Sequence, residues 1–169
     1  MKITFPVLIV ALLATTALSA QDDKSKRPSP PATATATVNG KTITIDYSQP
    51  SVKGRKVWGG LVSYGEVWRT GANETTTIEV SADVEIEGQK LAKGKYALFT
   101  IPGEKEWVIV INKGIAWGAY DYKAADDVLR ATVTPKTSAA FHEKFTIETS
   151  AEGVVSLLWE NLQVSFKVK

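Results

Sequence analysis

Lys95-Tyr-Ala-Leu-Phe-Thr-Ile-Pro-Gly-Glu-Lys-Glu-Trp-Val-Ile-Val-Ile111 decides the fold. Two apolar, β-branched and aromatic runs flank Pro102-Gly103, a turn dipeptide. Each run is too short for a core helix and has the composition of a strand. Trp107 to Ile111 is apolar at every position, which predicts a strand covered on both faces.

Working outward, the same signal repeats. Upstream, Thr76, Ile78 and Val80 alternate with Thr75, Thr77 and Glu79, and Val84 and Ile86 form a short strand ended by Glu87-Gly88. Earlier still, Ile43, Ile45 and Tyr47 alternate with Thr42, Thr44 and Asp46. Asn39-Gly40 joins this run to Thr33–Thr37, and Asn-Gly between alternating runs is the strongest short hairpin signal. Downstream come Val128 to Val133, Phe141 to Thr149, a Glu152-Gly153 turn, Val154 to Trp159, and Leu162 to Val168. One or two helical turns are expected around Asp121 to Leu129. The absence of alternating helices excludes a parallel sheet. The expected fold is all-β, an antiparallel β-sandwich of about nine or ten short strands with one long irregular aromatic-rich loop.

The remaining chain sets the organisation. Met1-Lys2 precedes an apolar run to Leu18 and then small residues, the layout of a cleaved signal peptide over residues 1–20. Cleavage is expected after Ser19 or Ala20, leaving no membrane span and a periplasmic or secreted product. Residues 21–31, Pro-rich and polar, read as a flexible lead-in. Residues 32–169 form one sandwich domain. There is no Cys, so disulfides, thiolate nucleophiles and Cys-type zinc sites are excluded. Twenty basic and 18 acidic residues give +2, a balance that does not suggest nucleic acid.

Known chemistry is sparse. His142 is the only histidine, beside no nucleophile elbow. No His pair, acidic calcium loop, phosphate loop or dinucleotide fingerprint is present. No cofactor, metal or catalytic residue is therefore nominated, and whether the chain is an enzyme stays open.

The long loop is the candidate site. Tyr47 to Thr77 has little periodicity, and loops of that length in compact domains are functional or disordered. Its two Trp, two Tyr and two Arg argue against disorder. Trp68-Arg-Thr-Gly-Ala-Asn-Glu74 is its densest polar cluster. Val52-Lys-Gly-Arg-Lys56 adds cations, and Asn112 to Tyr122 carries a second aromatic group. The candidate ligand-binding residues are Arg69, Asn73, Glu74, Trp68, Trp117, Tyr120 and Arg55, at a sandwich end formed by loops 48–74 and 112–122. Two readings of Arg69 compete: an ion pair with Glu74 that pins the loop, or a fork awaiting an anionic ligand. Gly71 is expected to supply a positive φ. The partner would be a small molecule, a glycan or a protein. One rival is a glycan or ester hydrolase using Glu74 and Asp46 as acid and base. The other is a purely structural envelope domain.

These residues resemble the uncharacterised DUF2911 family of exported bacterial proteins, mainly from Bacteroidota. The matching pieces are Tyr47-Ser-Gln-Pro-Ser51, Lys53-Gly-Arg55, Trp58-Gly-Gly-Leu61, Tyr64-Gly65, Val67-Trp-Arg-Thr-Gly-Ala-Asn-Glu74, Gly94-Lys-Tyr-Ala-Leu-Phe-Thr-Ile-Pro102, Trp107 with Asn112, and Trp117-Gly-Ala-Tyr120. Ser63, Trp58 and Ala97 depart from the Pro, Phe and Ser common in the family. The resemblance implies an exported β-rich domain and no particular activity. Some relatives carry the domain beside helical repeats, which leans toward a binding role.

Overall fold

The structure, a computed structural model, describes residues 23–169. The expected signal segment lies outside the described residues. Ten strands follow in order: β1 Pro31–Val38, β2 Lys41–Ser48, β3 Thr77–Val80, β4 Val84–Ile86, β5 Gln89–Leu91, β6 Gly94–Ile101, β7 Trp107–Asn112, β8 Asp127–Val133, β9 Lys136–Thr149 and β10 Val154–Lys167. Six of them form an antiparallel sheet in the order β1-β2-β3-β6-β7-β8. β9 and β10 make a long hairpin, and β4 and β5 a short one. The fold is all-β and antiparallel, as the alternation requires.

Local chemistry sets the register. Asn39 and Gly40 both have positive φ, at 50° and 79°, and pair Val38 with Lys41 across a two-residue turn. That geometry matches the twist of the flanking strands. Ile43, Ile45, Ile78, Ile109 and Ile111 then fall on one face of the sheet. They pack against Phe145, Ile147, Leu157 and Phe166 of the long hairpin in a single core.

Two departures from the expected elements bear on the site. First, β10 is one strand, although the sequence suggests a break between Trp159 and Leu162. Glu160 adopts φ +53° and the register with β9 shifts on either side of it. Such a bulge bends a strand and re-aims its side chains. Here Leu157, Leu158 and Trp159 are all buried in succession, and Trp159 points into the core. Second, β7 is covered on its outer face by loops. Val110, Ala97 and Phe99 form a separate small core under Val67, Ala119 and Tyr122, contributed by the two irregular loops. The helical turns expected near Asp121 reduce to one 3-10 turn at Ala124–Asp126.

Candidate functional site

The long loop is built around tryptophan. Trp58 and Trp68 of the loop meet Trp107 of β7, Trp159 of β10 and Phe145 of β9. Trp58 meets the three other indoles edge-on, with ring centroids 5.0 to 5.8 Å away. Trp68 and Trp159 lie nearly parallel, 15° apart, at 5.8 Å. The indole nitrogens of Trp58 and Trp159 are buried without a hydrogen-bond partner.

Trp68 enters the sheet as a one-residue extension beside β6. Its N–H donates to Thr100 O at 2.8 Å, and Thr100 N–H donates to Trp68 O at 3.0 Å. The chain then reverses sharply. Trp68 Nε1 donates to Gly71 O at 3.1 Å, and Gly71 takes φ +154° with Ser48 O 3.0 Å from where a Cβ would stand. Gly is therefore required there. Thr70 and Asn73 also have positive φ, at 53° and 57°. For β-branched Thr this is an unusual and costly conformation. It persists because Thr70 is fully buried, its Oγ1 lies 3.1 Å from Thr100 Oγ1, and its carbonyl accepts from Thr76 Oγ1 at 2.8 Å. Strain of this kind concentrates where a surface must be held in one shape for a ligand. The residues it positions are Arg69 and Asn73.

Arg69 and Glu74 do not pair, contrary to the ion-pair reading. The kinks at Thr70, Gly71 and Asn73 separate them. Arg69 Nη1 donates to Asn73 O at 2.9 Å, and its guanidinium lies 5.8 Å from the centre of the Tyr120 ring. Glu74 Oε1 instead meets Lys24 Nζ and Arg27 Nη1, each at 2.9 Å. The lead-in, expected to be flexible, is tied down at these points. Asn73 Nδ2 also donates to Ser29 O at 2.9 Å, and Gln49 N–H to Pro30 O at 2.9 Å.

Between these parts lies a cleft of about 260 Å³, walled by Ser29, Arg55, Trp68, Arg69, Asn73 and Trp159 together with small and apolar neighbours. Four candidate residues from the sequence, Arg55, Trp68, Arg69 and Asn73, share it. Glu74 lines a smaller neighbouring pocket of about 150 Å³ with Lys24, Asp46 and Tyr47. Tyr120 touches the cleft only through Arg69. Trp117 is more than half exposed and does not line it. Sequence reasoning missed Trp159 and Ser29. The bulge that turns Trp159 inward leaves no periodic signal, and Ser29 sits in a stretch whose composition reads as linker.

The electrostatics of the cleft are one-sided. Among the described residues, both arginines line it and no carboxylate does. Among the described residues, neither Arg55 nor Arg69 has an acidic partner. A larger depression of about 490 Å³ by the β4–β5 hairpin mixes Lys41, Lys90 and Lys169 with Asp83 and Glu85, so its charges offset one another and no aromatic ring lines it.

The carboxylates proposed for hydrolysis are poorly suited to it. Lys24 first, then backbone donation and Arg27, hold Glu74 at about 2 instead of an ordinary 4.5. It stays ionised at neutral pH and cannot serve as a general acid there. Asp46 is likewise engaged, accepting from Thr33 Oγ1 at 2.8 Å and facing Lys95 Nζ at 3.4 Å. His142 Nε2 meets Ser138 Oγ at 3.0 Å on β9, and neither residue lines the cleft.

The depressed Glu74 value gives a pH prediction. Its contribution to stability is present above pH 4.5 and is lost as pH falls from 4.5 through about 2. Glu74→Gln should therefore be less stable than wild type at pH 6, with the gap closing toward pH 2. The effect is small, because the pair is about a third exposed and screened by water. Urea melts across this range measure it. A gap independent of pH would mean that the Glu74 charge does not hold the lead-in.

A family model described as "Protein of unknown function (DUF2911)" matches residues 29–168, a span that takes in the whole cleft and both irregular loops. No curated protein and no solved structure matches the chain.

Proposed function

We propose that this chain, which belongs to the DUF2911 family, is an exported binding module that takes a small anionic ligand in the cleft beside Trp68. Export is supported by the charged, apolar and small-residue order of residues 1–20. N-terminal sequencing of protein from its host would find Ala20 or Gln21 first, and a Met1 start would refute export. The binding reading is carried by one observation. Two arginines line a single cleft with no carboxylate among its described walls, beside indole surface, on a loop that maintains costly backbone conformations.

Pairing is the usual way to offset shielded charge. Two cations left without acids in one concavity attract an anion from solution. The aromatic wall supplies contact area and excludes water, which strengthens that attraction. Because four of the five tryptophans form one cluster and two of them line the cleft, occupancy reports through fluorescence. Titration of the full mature protein with sodium glucuronate, sodium benzoate and inorganic phosphate should quench tryptophan emission saturably for at least one anion. Added sodium chloride should weaken the effect. No saturable response to any of the three would refute the reading.

A further inference from the structure

We propose that the cleft selects a carboxylate carried on a single ring, gripped by a free edge of the Arg69 guanidinium, with Gly118 and Tyr120 of the second loop as positioning residues for that fork. The inference rests on the binding reading above and narrows its ligand.

Donor accounting leads to the carboxylate. A guanidinium has five N–H donors in a rigid plane. Arg69 spends one nitrogen, Nη1, on Asn73 O at 2.9 Å. No other hydrogen bond or ion pair engages it among the described residues, so the edge made by Nε and Nη2 is left open. Two parallel N–H groups along that edge match the two oxygens of one carboxylate. Arg55 differs. Its Nε donates to Val52 O at 3.1 Å and its Nη2 to Ser51 O at 2.5 Å, so the same edge is used up within its own loop. It contributes charge and one remaining nitrogen. One open fork and one supporting charge suit a monoanion. A phosphate dianion, with more oxygens to satisfy, would call for donors that this set does not provide.

The fork is held before any ligand arrives. Gly118 has φ +66°, and a Cβ there would lie 2.9 Å from Arg69 Nη1 and 3.3 Å from its Cζ, so any larger residue would push the guanidinium out of its present position. Tyr120 flanks it as a cation–π neighbour. Thr75 fastens the second loop to the first, with Oγ1 within hydrogen-bond reach of Gly118 O at 2.9 Å and of Ala116 O. Prior ordering of this kind removes part of the entropic cost of binding. The ring requirement follows from size and walls. The cleft's 260 Å³ falls below the roughly 300–1,000 Å³ of sites for drug-sized ligands. Its Trp68 wall favours a flat face, which a hexuronic acid and an aromatic acid both have.

The test compares sodium glucuronate with glucose, sodium benzoate with benzamide, and all four with inorganic phosphate, on wild type, Arg69→Lys and Gly118→Ala. At least one carboxylate should bind about tenfold or more tightly than its neutral counterpart and than phosphate, as expected for charge-assisted paired hydrogen bonds. Whether glucuronate or benzoate wins identifies the ring. Arg69→Lys keeps the charge but loses the planar fork, and should weaken the carboxylate about tenfold and erase its advantage over phosphate. Gly118→Ala should do the same by displacing the guanidinium. Arg69→Lys leaves the backbone untouched, so the test stays decisive if Gly118→Ala fails to fold. Phosphate binding as tightly as the carboxylates, or undiminished selectivity in Arg69→Lys, overturns this inference while anion binding stands. Absence of any anion response overturns both.

Discussion

Trp159→Ala should be the most destabilising single change near the site, costing about 3–5 kcal/mol, the range for removing a buried large aromatic side chain. Trp159 is 1% exposed and contacts Trp58, Trp68 and Phe145. Each aromatic pair contributes about 0.5–1.5 kcal/mol beyond the area it buries. The surroundings cannot collapse into the space, because Trp107 and Phe145 are fixed on strands and Trp68 is held in the sheet by two backbone bonds. Such a loss should lower the thermal midpoint by on the order of 10 °C in a domain of this size. The anion response should vanish with it, since Trp159 backs the Trp68 ring that walls the cleft. Trp159→Phe, which retains a ring, should recover much of the stability. A Trp159→Ala midpoint within about 2 °C of wild type would mean that the cluster is not a cooperative part of the core.

Most of the fold was legible because period-two alternation is a direct consequence of one buried face per strand. The Asn39-Gly40 hairpin, the alternation of β3 and that of β10 after Leu162 all follow that rule, whereas the β6–β7 pair showed through its apolar runs around Pro102-Gly103. Two places did not yield. The apolar run Trp107–Ile111 announced cover on both faces but not its source, which is the loops carrying Val67, Ala119 and Tyr122. The irregularity at Glu160 was invisible, because a residue with φ +53° flanked by register shifts has no compositional mark when it is not glycine.

The site was half legible for a related reason. Residues clustered along the chain, Trp68, Arg69 and Asn73, could be found by density of chemistry, and Arg55 by its basic run. Their partners depend on the backbone. The expected Arg69–Glu74 pair assumed a loop that keeps sequence neighbours together. Three departures from ordinary φ within four residues, at Thr70, Gly71 and Asn73, send the two side chains to different pockets. Glu74 finds Lys24 and Arg27, and Arg69 is left with the Asn73 carbonyl and the Tyr120 ring.

That separation frames the second large effect and the decisive measurement, a thermal melt and an anion titration carried out together on Arg69→Ala and wild type. If Arg69 is held for a ligand, the variant loses one partly exposed hydrogen bond and the Tyr120 contact, about 1 kcal/mol in all. Relief of repulsion with Arg55 across the cleft offsets part of this. The midpoint should stay within about 3 °C of wild type. Binding should weaken on the order of tenfold to a hundredfold, the share of a hydrogen-bonded charge contact worth about 1.5–3 kcal/mol. A nearly unchanged midpoint with the anion response lost is the predicted result. A midpoint falling as far as that of Trp159→Ala, with the anion response intact, would contradict the account and return Arg69 to the scaffold.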